Sequence, residues 1–294
     1  MTSPTLLSVA AGLLALGLLF GLVERVFRRG NGPPWWRRPD MPTDLAFGFA
    51  TPLLSRVVTR IAVVAVAAVL IVLSGSSLST VKAEVDAGRL PDLSVLGMGH
   101  ALRSLPFAVE VVLGFLLADL VGYGWHRLFH RRPLWPFHAV HHSSTRLDWL
   151  SSVRVHPVND LVTRVGQAVP ILLVGFEPRV FFLFAPVTTL YAILLHADVG
   201  WTYGPLRYVI ASPAFHRWHH AADREALGKN FAGLFPAIDL AFGTFHLPVG
   251  VRPKALGIAG DPVPRPFLSQ LAWPFRAGRP EPNRAAGAAP TTPS

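Results

Sequence analysis

Residues 105–130 read LPFAVEVVLGFLLADLVGYGWHRLFH and give the most direct indication of the fold class. An apolar run long enough to cross a bilayer core leads through Asp119 directly into two histidines, His126 and His130. The pattern predicts a membrane helix that carries metal-binding side chains at one end.

Two further histidine groups follow this helix, and we call the three groups box 1, box 2 and box 3. They are His126-Arg-Leu-Phe-His130, His138-Ala-Val-His141-His142 and His216-Arg-Trp-His219-His220. Residues three and four positions apart share a helix face, so each helical box is expected to aim its rings in one direction. Neutral imidazole suits iron, zinc and copper. Because eight donors exceed what one tetrahedral ion can use, the boxes predict two metal ions.

Four histidines lie outside the boxes. His196 ends a long apolar run, where a histidine without a partner is costly, so we predict that it is a ninth ligand. His156 follows box 2 and is expected to support a ligand rather than to bind metal. We expect no metal-binding role for His100 or His246.

Carboxylates narrow the kind of metal site. The chain has neither Glu-x-x-His, as in soluble di-iron bundles, nor the His-Glu-x-x-His of zinc peptidases. Asp119 lies seven residues before His126 on the same helix face and could orient a ligand ring through its other nitrogen. Asp198 and Asp223 are candidates for the same role. Box 3 also has a helix start signal, with Ser212 as the N-cap and Pro213 in the first turn.

Composition indicates a membrane protein. The 294 residues are 51% hydrophobic and only 15% charged, and they include no cysteine, which excludes thiolate sites and iron–sulfur clusters. The net charge is +10, and much of it lies beside apolar segments. This placement favours an anionic lipid surface over nucleic acid as the partner. The arginines concerned are Arg25, Arg28, Arg29, Arg37 and Arg38.

Three segments are expected: membrane spans and loops in 1–104, a catalytic domain in 105–275 and a disordered tail in 276–294. Residues 5–23 form an uncharged first span, which we interpret as an anchor. The uncharged stretch from Ile61 is short for a span, so its helix is expected to begin earlier. Residues 158–176 and 179–197 form two spans or a re-entrant hairpin.

The positive-inside rule places residues 24–44 in the cytoplasm. Counting spans forward then puts all three boxes and His196 on the cytoplasmic face. The predicted fold class is therefore all-α: a multi-pass integral membrane helical bundle with a cytoplasmic helical cap that carries the boxes.

The order HxxxH, HxxHH, HxxHH, with the first box closing an apolar helix, resembles the fatty acid hydroxylase/sterol desaturase superfamily of integral-membrane di-iron enzymes. The resemblance covers roughly residues 105–250, and one departure is Ala232, where many relatives carry glycine. The motifs that carry it are Asp119-Leu-Val-Gly-Tyr123-Gly-Trp-His126-Arg-Leu-Phe-His130, Phe137-His138-Ala-Val-His141-His142-Ser143-Ser144, Arg154-Val-His156-Pro157, His196-Ala-Asp198, Pro213-Ala-Phe-His216-Arg-Trp-His219-His220, Lys229-Asn230-Phe231 and Asp239-Leu-Ala-Phe-Gly243-Thr244.

The resemblance implies an oxidoreductase that uses two iron ions and molecular oxygen to hydroxylate or desaturate a lipid-like substrate. The chain shows no cysteine cluster, dinucleotide fingerprint or haem-binding domain, so a separate electron donor is expected, such as a ferredoxin, a cytochrome or their reductase. The alternative is a membrane protein that binds or transports zinc or copper. Transporters place their sites near the bilayer midplane, whereas these boxes lie outside the spans, which favours the enzyme.

Overall fold

The computed structural model describes residues 5–28, 34–73, 105–176, 178–260 and 263–276, with a few positions between 77 and 87. Within these ranges the chain is all-helical, as predicted, and its β pairing is confined to two isolated bridges, Arg28 with Val199 and Ala221 with Leu256. His100, Glu177 and the predicted tail beyond 276 lie outside the described residues.

Helices and short 3₁₀ turns follow one another along the described chain. The helices are α1 (Leu6–Phe27), α2 (Met41–Leu73), α3 (Phe107–Phe129), α4 (Trp135–His142), α5 (Pro157–Val174), α6 (Pro178–His196), α7 (Pro213–His219), α8 (Ala237–Ala241) and α9 (Phe267–Ala272). The 3₁₀ turns used below are Trp149–Val153 and Gly204–Tyr208. Helix α2 begins well before Ile61, as predicted, and box 2 is helical throughout.

Among the described residues, α1 and α3 are each long and apolar enough to cross a membrane. Helix α1 begins where the Thr5 and Ser8 side chains bond each other's backbone N–H groups. Its leucines are largely exposed, Leu14 by 65%. An apolar helix that leaves its leucines uncovered favours contact with lipid. The apolar part of α6, Leu183–His196, is shorter.

Helices α3, α5 and α6 pack closely at glycines. A Cβ at Gly166 of α5 would overlap the Trp125 indole of α3, and a Cβ at Gly114 of α3 would meet Val180 of α6. Helix α5 ends at Val174, and the next residue, Gly175, has a φ of 82° in the left-handed region that glycine adopts without strain. The turn at Gly175 leads into α6, so the sequence-predicted pair 158–176 and 179–197 corresponds to two helices.

Helix α1 shares a core with the segments that follow box 2. Phe20 of α1 packs in one cluster with Trp149 and Leu150 of the 3₁₀ turn and with residues of α6. The buried Glu24 carboxylate accepts the backbone N–H groups of Trp149 at 2.8 Å and Asp198 at 3.1 Å. Residues from both sides of the predicted 104/105 boundary therefore build one core.

A buried ionic network, formed by Arg38, Asp44, Asp148 and Arg154, joins α2 to the segment after box 2. Asp44 accepts from Arg38 Nη2 at 2.7 Å and from Arg154 Nε at 2.6 Å, and Arg38 also pairs with Asp148. Burial raises the pKa of Asp148 to about 6, although Arg38 opposes that rise. Arg38 is thus paired inside the protein, which corrects its assignment to the lipid-facing charges, because its partners are distant in sequence. Arg28 likewise pairs with Asp198 at 2.9 Å.

Candidate metal centre

The structure brings all nine histidines that were predicted as ligands into two groups. In each group, the possible ligand nitrogens all lie within 4.8 Å of one another. The five-histidine group contains His126, His130, His138, His142 and His219, and the four-histidine group contains His141, His196, His216 and His220.

Boxes 2 and 3 each contribute to both groups, so the expectation that one box aims its rings in one direction is wrong for these two. His138 and His142 join the five-histidine group, whereas His141 crosses to the other. Box 3 does the reverse, since only His219 crosses. On an α-helix, side chains at i and i+4 are about 40° apart around the axis, but i+3 and i+4 differ by about 100°. One turn can therefore supply ligands on two sides.

Four helices end at the centre. Box 1 closes α3, box 2 forms the last turns of α4, His196 is the last residue of α6, and box 3 closes α7. Helix α7 starts as predicted, since Ser212 Oγ accepts the Phe215 N–H at 3.1 Å and Pro213 occupies the first turn.

Five of the rings donate from Nδ1 to a fixed oxygen. A carbonyl oxygen only accepts, so Nδ1 carries the proton and Nε2 presents a lone pair to its group. The acceptors are Phe231 O for His126 (2.7 Å), Asn159 Oδ1 for His138 (2.8 Å), Arg154 O for His141 (3.0 Å), Ala192 O for His196 (2.7 Å) and Lys229 O for His219 (2.9 Å).

These tautomers place lone pairs face to face in both groups. His126 Nε2 lies 3.1 Å from His138 Nε2 in the five-histidine group, and His141 Nε2 lies 3.2 Å from His196 Nε2 in the other. Two lone pairs at this distance repel each other, but a cation between them would bind both. Nitrogens held about 2.1 Å from one ion at a right angle are about 3.0 Å apart. The donor set therefore fits one metal ion in each group.

Burial keeps these donors neutral. Desolvation holds the pKa of the box 2 and box 3 rings well below the usual value for histidine, since a buried charge is costly. In the five-histidine group, the buried His130 Nε2 has no hydrogen-bond partner within the described part of the protein. A neutral, unpartnered nitrogen is available as a ligand.

Asp119 affects the site indirectly, through the backbone of a neighbouring loop. It accepts the backbone N–H groups of Gly233 at 2.9 Å and Phe235 at 2.7 Å, and also that of Leu234. The same loop carries the Phe231 carbonyl that holds His126. The expectation that Asp119 contacts a ligand ring directly is therefore corrected: it fixes the loop that contacts the ring.

The other predicted carboxylates fasten neighbouring segments. Asp198, two residues after His196, pairs with Arg28 at 2.9 Å and with Arg217 at 3.4 Å. Asp223, three residues after box 3, accepts the backbone N–H of Lys254 at 3.0 Å. Both carboxylates therefore stabilise the chain next to candidate ligands, and neither contacts a histidine ring.

The remaining histidines that the structure describes have partners away from the groups. His156 Nε2 donates to Leu271 O at 3.2 Å, and its Nδ1 accepts the Val158 N–H, so it anchors the C-terminal segment. The His246 ring lies against Trp218.

Sequence reasoning missed three polar residues that shape the site. Asn159 holds His138, while Asp239 accepts the N–H groups of Phe231 and Ala232. Asn230 adopts φ 60°, which asparagine tolerates, and its side chain bonds Phe215 O and His246 O. Asn230 and Asp239 occur in the motifs that carry the family resemblance, which was their only signal in the sequence. Asn159 had no such signal.

The fold and site define a helical protein in which two histidine groups could each hold a metal ion. Residues 111–244 match the family model described as fatty acid hydroxylase. The match covers a little under half of the chain, and together with the relatives below it confirms the predicted resemblance to the fatty acid hydroxylase/sterol desaturase superfamily over that region.

Several relatives are similar to part of this chain. Ornithine lipid hydroxylase of Rhizobium tropici is 37% identical over 178 residues, which are 60% of this chain and 54% of that protein. Alkylglycerol monooxygenase of Danio rerio is 31% identical over 134 residues, 45% of this chain and 30% of that protein. Methylsterol monooxygenase 1-1 of Arabidopsis thaliana is 24% identical over 140 residues, 46% of each chain. The chain thus spans about half or less of these proteins. No solved structure matches.

Proposed function

We propose that this chain is a membrane-bound di-iron oxygenase that hydroxylates, or desaturates, a lipid-like substrate with molecular oxygen. The observation that carries the proposal is the pair of histidine groups with facing, neutral Nε2 atoms. The relatives are named as lipid hydroxylases and monooxygenases, which supports the same chemistry.

The five-histidine group would hold one iron ion, and the four-histidine group would hold the other. When bound, the iron pair would supply the redox power that an unactivated C–H bond requires. The chain's own groups set the geometry, because backbone carbonyls and Asn159 lock the ring orientations and keep the protons on Nδ1. Burial of the rings excludes water from the reacting region.

The arrangement supports a multi-pass membrane protein with its site at one end of the helices. Helices α3 and α6 both run toward the histidines and end there. In the proposal, α1 and α3 cross the bilayer and the boxes form a cap at the cytoplasmic face, on the side with the basic segment after α1. A separate electron donor, such as a ferredoxin, a cytochrome or a reductase, would supply two electrons per turnover.

Metal content and oxygen uptake test this proposal. Protein purified in detergent after growth with iron should contain about two iron ions per chain and consume oxygen when a reductant and a lipid extract are added. A single zinc ion without oxygen uptake would instead support the metal-binding alternative.

Variants make the test specific. Replacing His219 with alanine removes a lone-pair donor from the five-histidine group and should abolish oxygen uptake while membrane insertion is unchanged. Replacing His246 is the matched control, because its ring packs on Trp218 and is outside both groups. Parental turnover by the His219 variant would refute the ligand assignment.

A further inference from the structure

An apolar surface lies beside the metal centre, outside the helices that qualify as spans. We call it the apolar rim, and it consists of Leu206, Tyr208, Val209, Ile210, Leu240 and Phe242. Three of its members, Leu206, Val209 and Phe242, are 56%, 53% and 52% exposed. Its two segments adjoin, since Ala211 N–H donates to Leu234 O at 2.8 Å and the Tyr208 ring contacts Phe245.

The rim lies toward the bilayer side of the histidines. Tyr191 of α6 donates to Ala211 O, five residues before His196, which is about 8 Å back along the helix axis. Phe242 stacks on Tyr123 of α3, three residues, or about 5 Å, before His126. The rim therefore continues the uncovered apolar surfaces of α3 and α6 rather than the far side of the cap.

The backbone of the rim is suited to an environment without water. The N–H groups of Leu206, Val209 and Ile210 donate to carbonyls within the segment 203–206. The adjoining loop is satisfied by Asp119, which accepts three successive N–H groups. Non-helical backbone is tolerated at membrane depth only where its polar groups are bonded inside the protein, and these N–H groups are bonded in that way.

The charges at the rim fit a lipid headgroup layer. Arg207 is the one charged residue in 203–211, and its guanidinium lies over the Tyr208 ring. In 237–242 the one charged residue is Asp239, which is fully buried and bonded to backbone N–H groups. The surface thus presents apolar and aromatic groups with a cation and no exposed carboxylate, as interfacial segments do.

From these observations we propose that the apolar rim is inserted in the lipid bilayer, where it borders the path from the membrane to the metal centre. The proposal rests on the membrane placement under Proposed function and adds to it a contact surface formed by non-helical segments. The occupant of the rim is the lipid itself, not a second protein chain.

Because the chain contains no cysteine, single cysteines can be placed cleanly. Val209→Cys probes the rim. Val251→Cys is a matched control, since Val251 is the same residue type, is 55% exposed, and lies in the loop that leads to Lys254 beyond box 3. Leu14→Cys reports on the span α1. Each variant of the full chain is reconstituted in vesicles of phosphatidylcholine and phosphatidylglycerol, and its rate of reaction with a water-soluble maleimide is measured. In a second sample the cysteine is labelled with a fluorophore, and quenching of the fluorescence by brominated lipid is measured.

We expect Val209→Cys to react at least about tenfold more slowly than Val251→Cys and to be quenched by brominated lipid, as Leu14→Cys is. Reaction of Val209→Cys at the rate of Val251→Cys, with Leu14→Cys protected, would overturn the rim proposal and leave the membrane anchor intact. Protection without quenching would show a covering protein chain and would also overturn it. Reaction of Leu14→Cys would instead contradict the proposed membrane placement itself.

Discussion

Replacing Asp44 with asparagine tests whether the buried ionic network positions one of the candidate ligands. Asp44 holds the Arg154 side chain through Nε at 2.6 Å, and the backbone carbonyl of Arg154 holds His141 Nδ1 at 3.0 Å. The asparagine has nearly the same shape but removes the charge that faces Arg38 and Arg154. The perturbation therefore reaches the four-histidine group through one residue.

Two magnitudes follow from this geometry. Breaking a buried ion pair by neutralising one partner costs about 3–5 kcal/mol of folding stability, because the other charge stays buried. Loss of a group that orients a ligand ring lowers metal affinity by about 10–100-fold. Since His141 belongs to the four-histidine group, we expect iron content to fall from about two toward one ion per chain at limiting iron.

The assay measures iron per chain by equilibrium dialysis, and stability by thermal unfolding in detergent. The control is Asp86→Asn, which makes the same charge change in an exposed pair with Lys82 and should alter stability by less than about 0.5 kcal/mol, since such pairs are solvent-screened. Arg154→Lys, which keeps the charge, should give a milder loss of iron. An Asp44 variant that is less stable but binds iron with parental affinity would refute a positioning role for the network.

Two further predictions concern packing and a ligand-orienting side chain. Gly166→Ala should destabilise the fold by about 1–3 kcal/mol in thermal unfolding, because the new methyl group overlaps Trp125; Gly124→Ala, which has open space in α3, should not, and equal effects would contradict the packing described. Asn159→Leu removes the acceptor of His138 Nδ1 and should weaken iron binding by about 10–100-fold in dialysis. Asn159→Asp keeps an acceptor oxygen and should retain most of the iron affinity. If the leucine variant bound iron with the affinity of the parent protein, the orienting role of Asn159 would be excluded.

The sequence allowed the helical class, the family and the nine converging histidines to be predicted because these depend on local spacing. Apolar runs and the i, i+3, i+4 pattern are visible without knowing what lies across the fold. The same pattern does not show that boxes 2 and 3 each contribute to both histidine groups, because residues on one helix face need not point to the same metal site. The angular difference between His141 and His142 was enough to separate them.

Long-range partners could not be predicted. The bonds between Asp119 and the loop at 233–235, or between Asp44 and Arg154, join residues about 110 or more positions apart. No periodicity marks such pairs, so the sequence around Arg38 predicts a surface charge although the side chain is buried.

The attachment of α1 has a consequence for selectivity. Glu24 and the pair between Arg28 and Asp198 fasten this helix to the chain just after His196. With α1 embedded in the bilayer, the oxidising centre would lie at a constant height above the hydrocarbon layer. The depth of a lipid carbon in the bilayer would then determine whether that carbon reaches the centre. One helical residue corresponds to about 1.5 Å, close to one carbon–carbon bond, so in the proposed function the attachment of α1 would set which carbon is attacked.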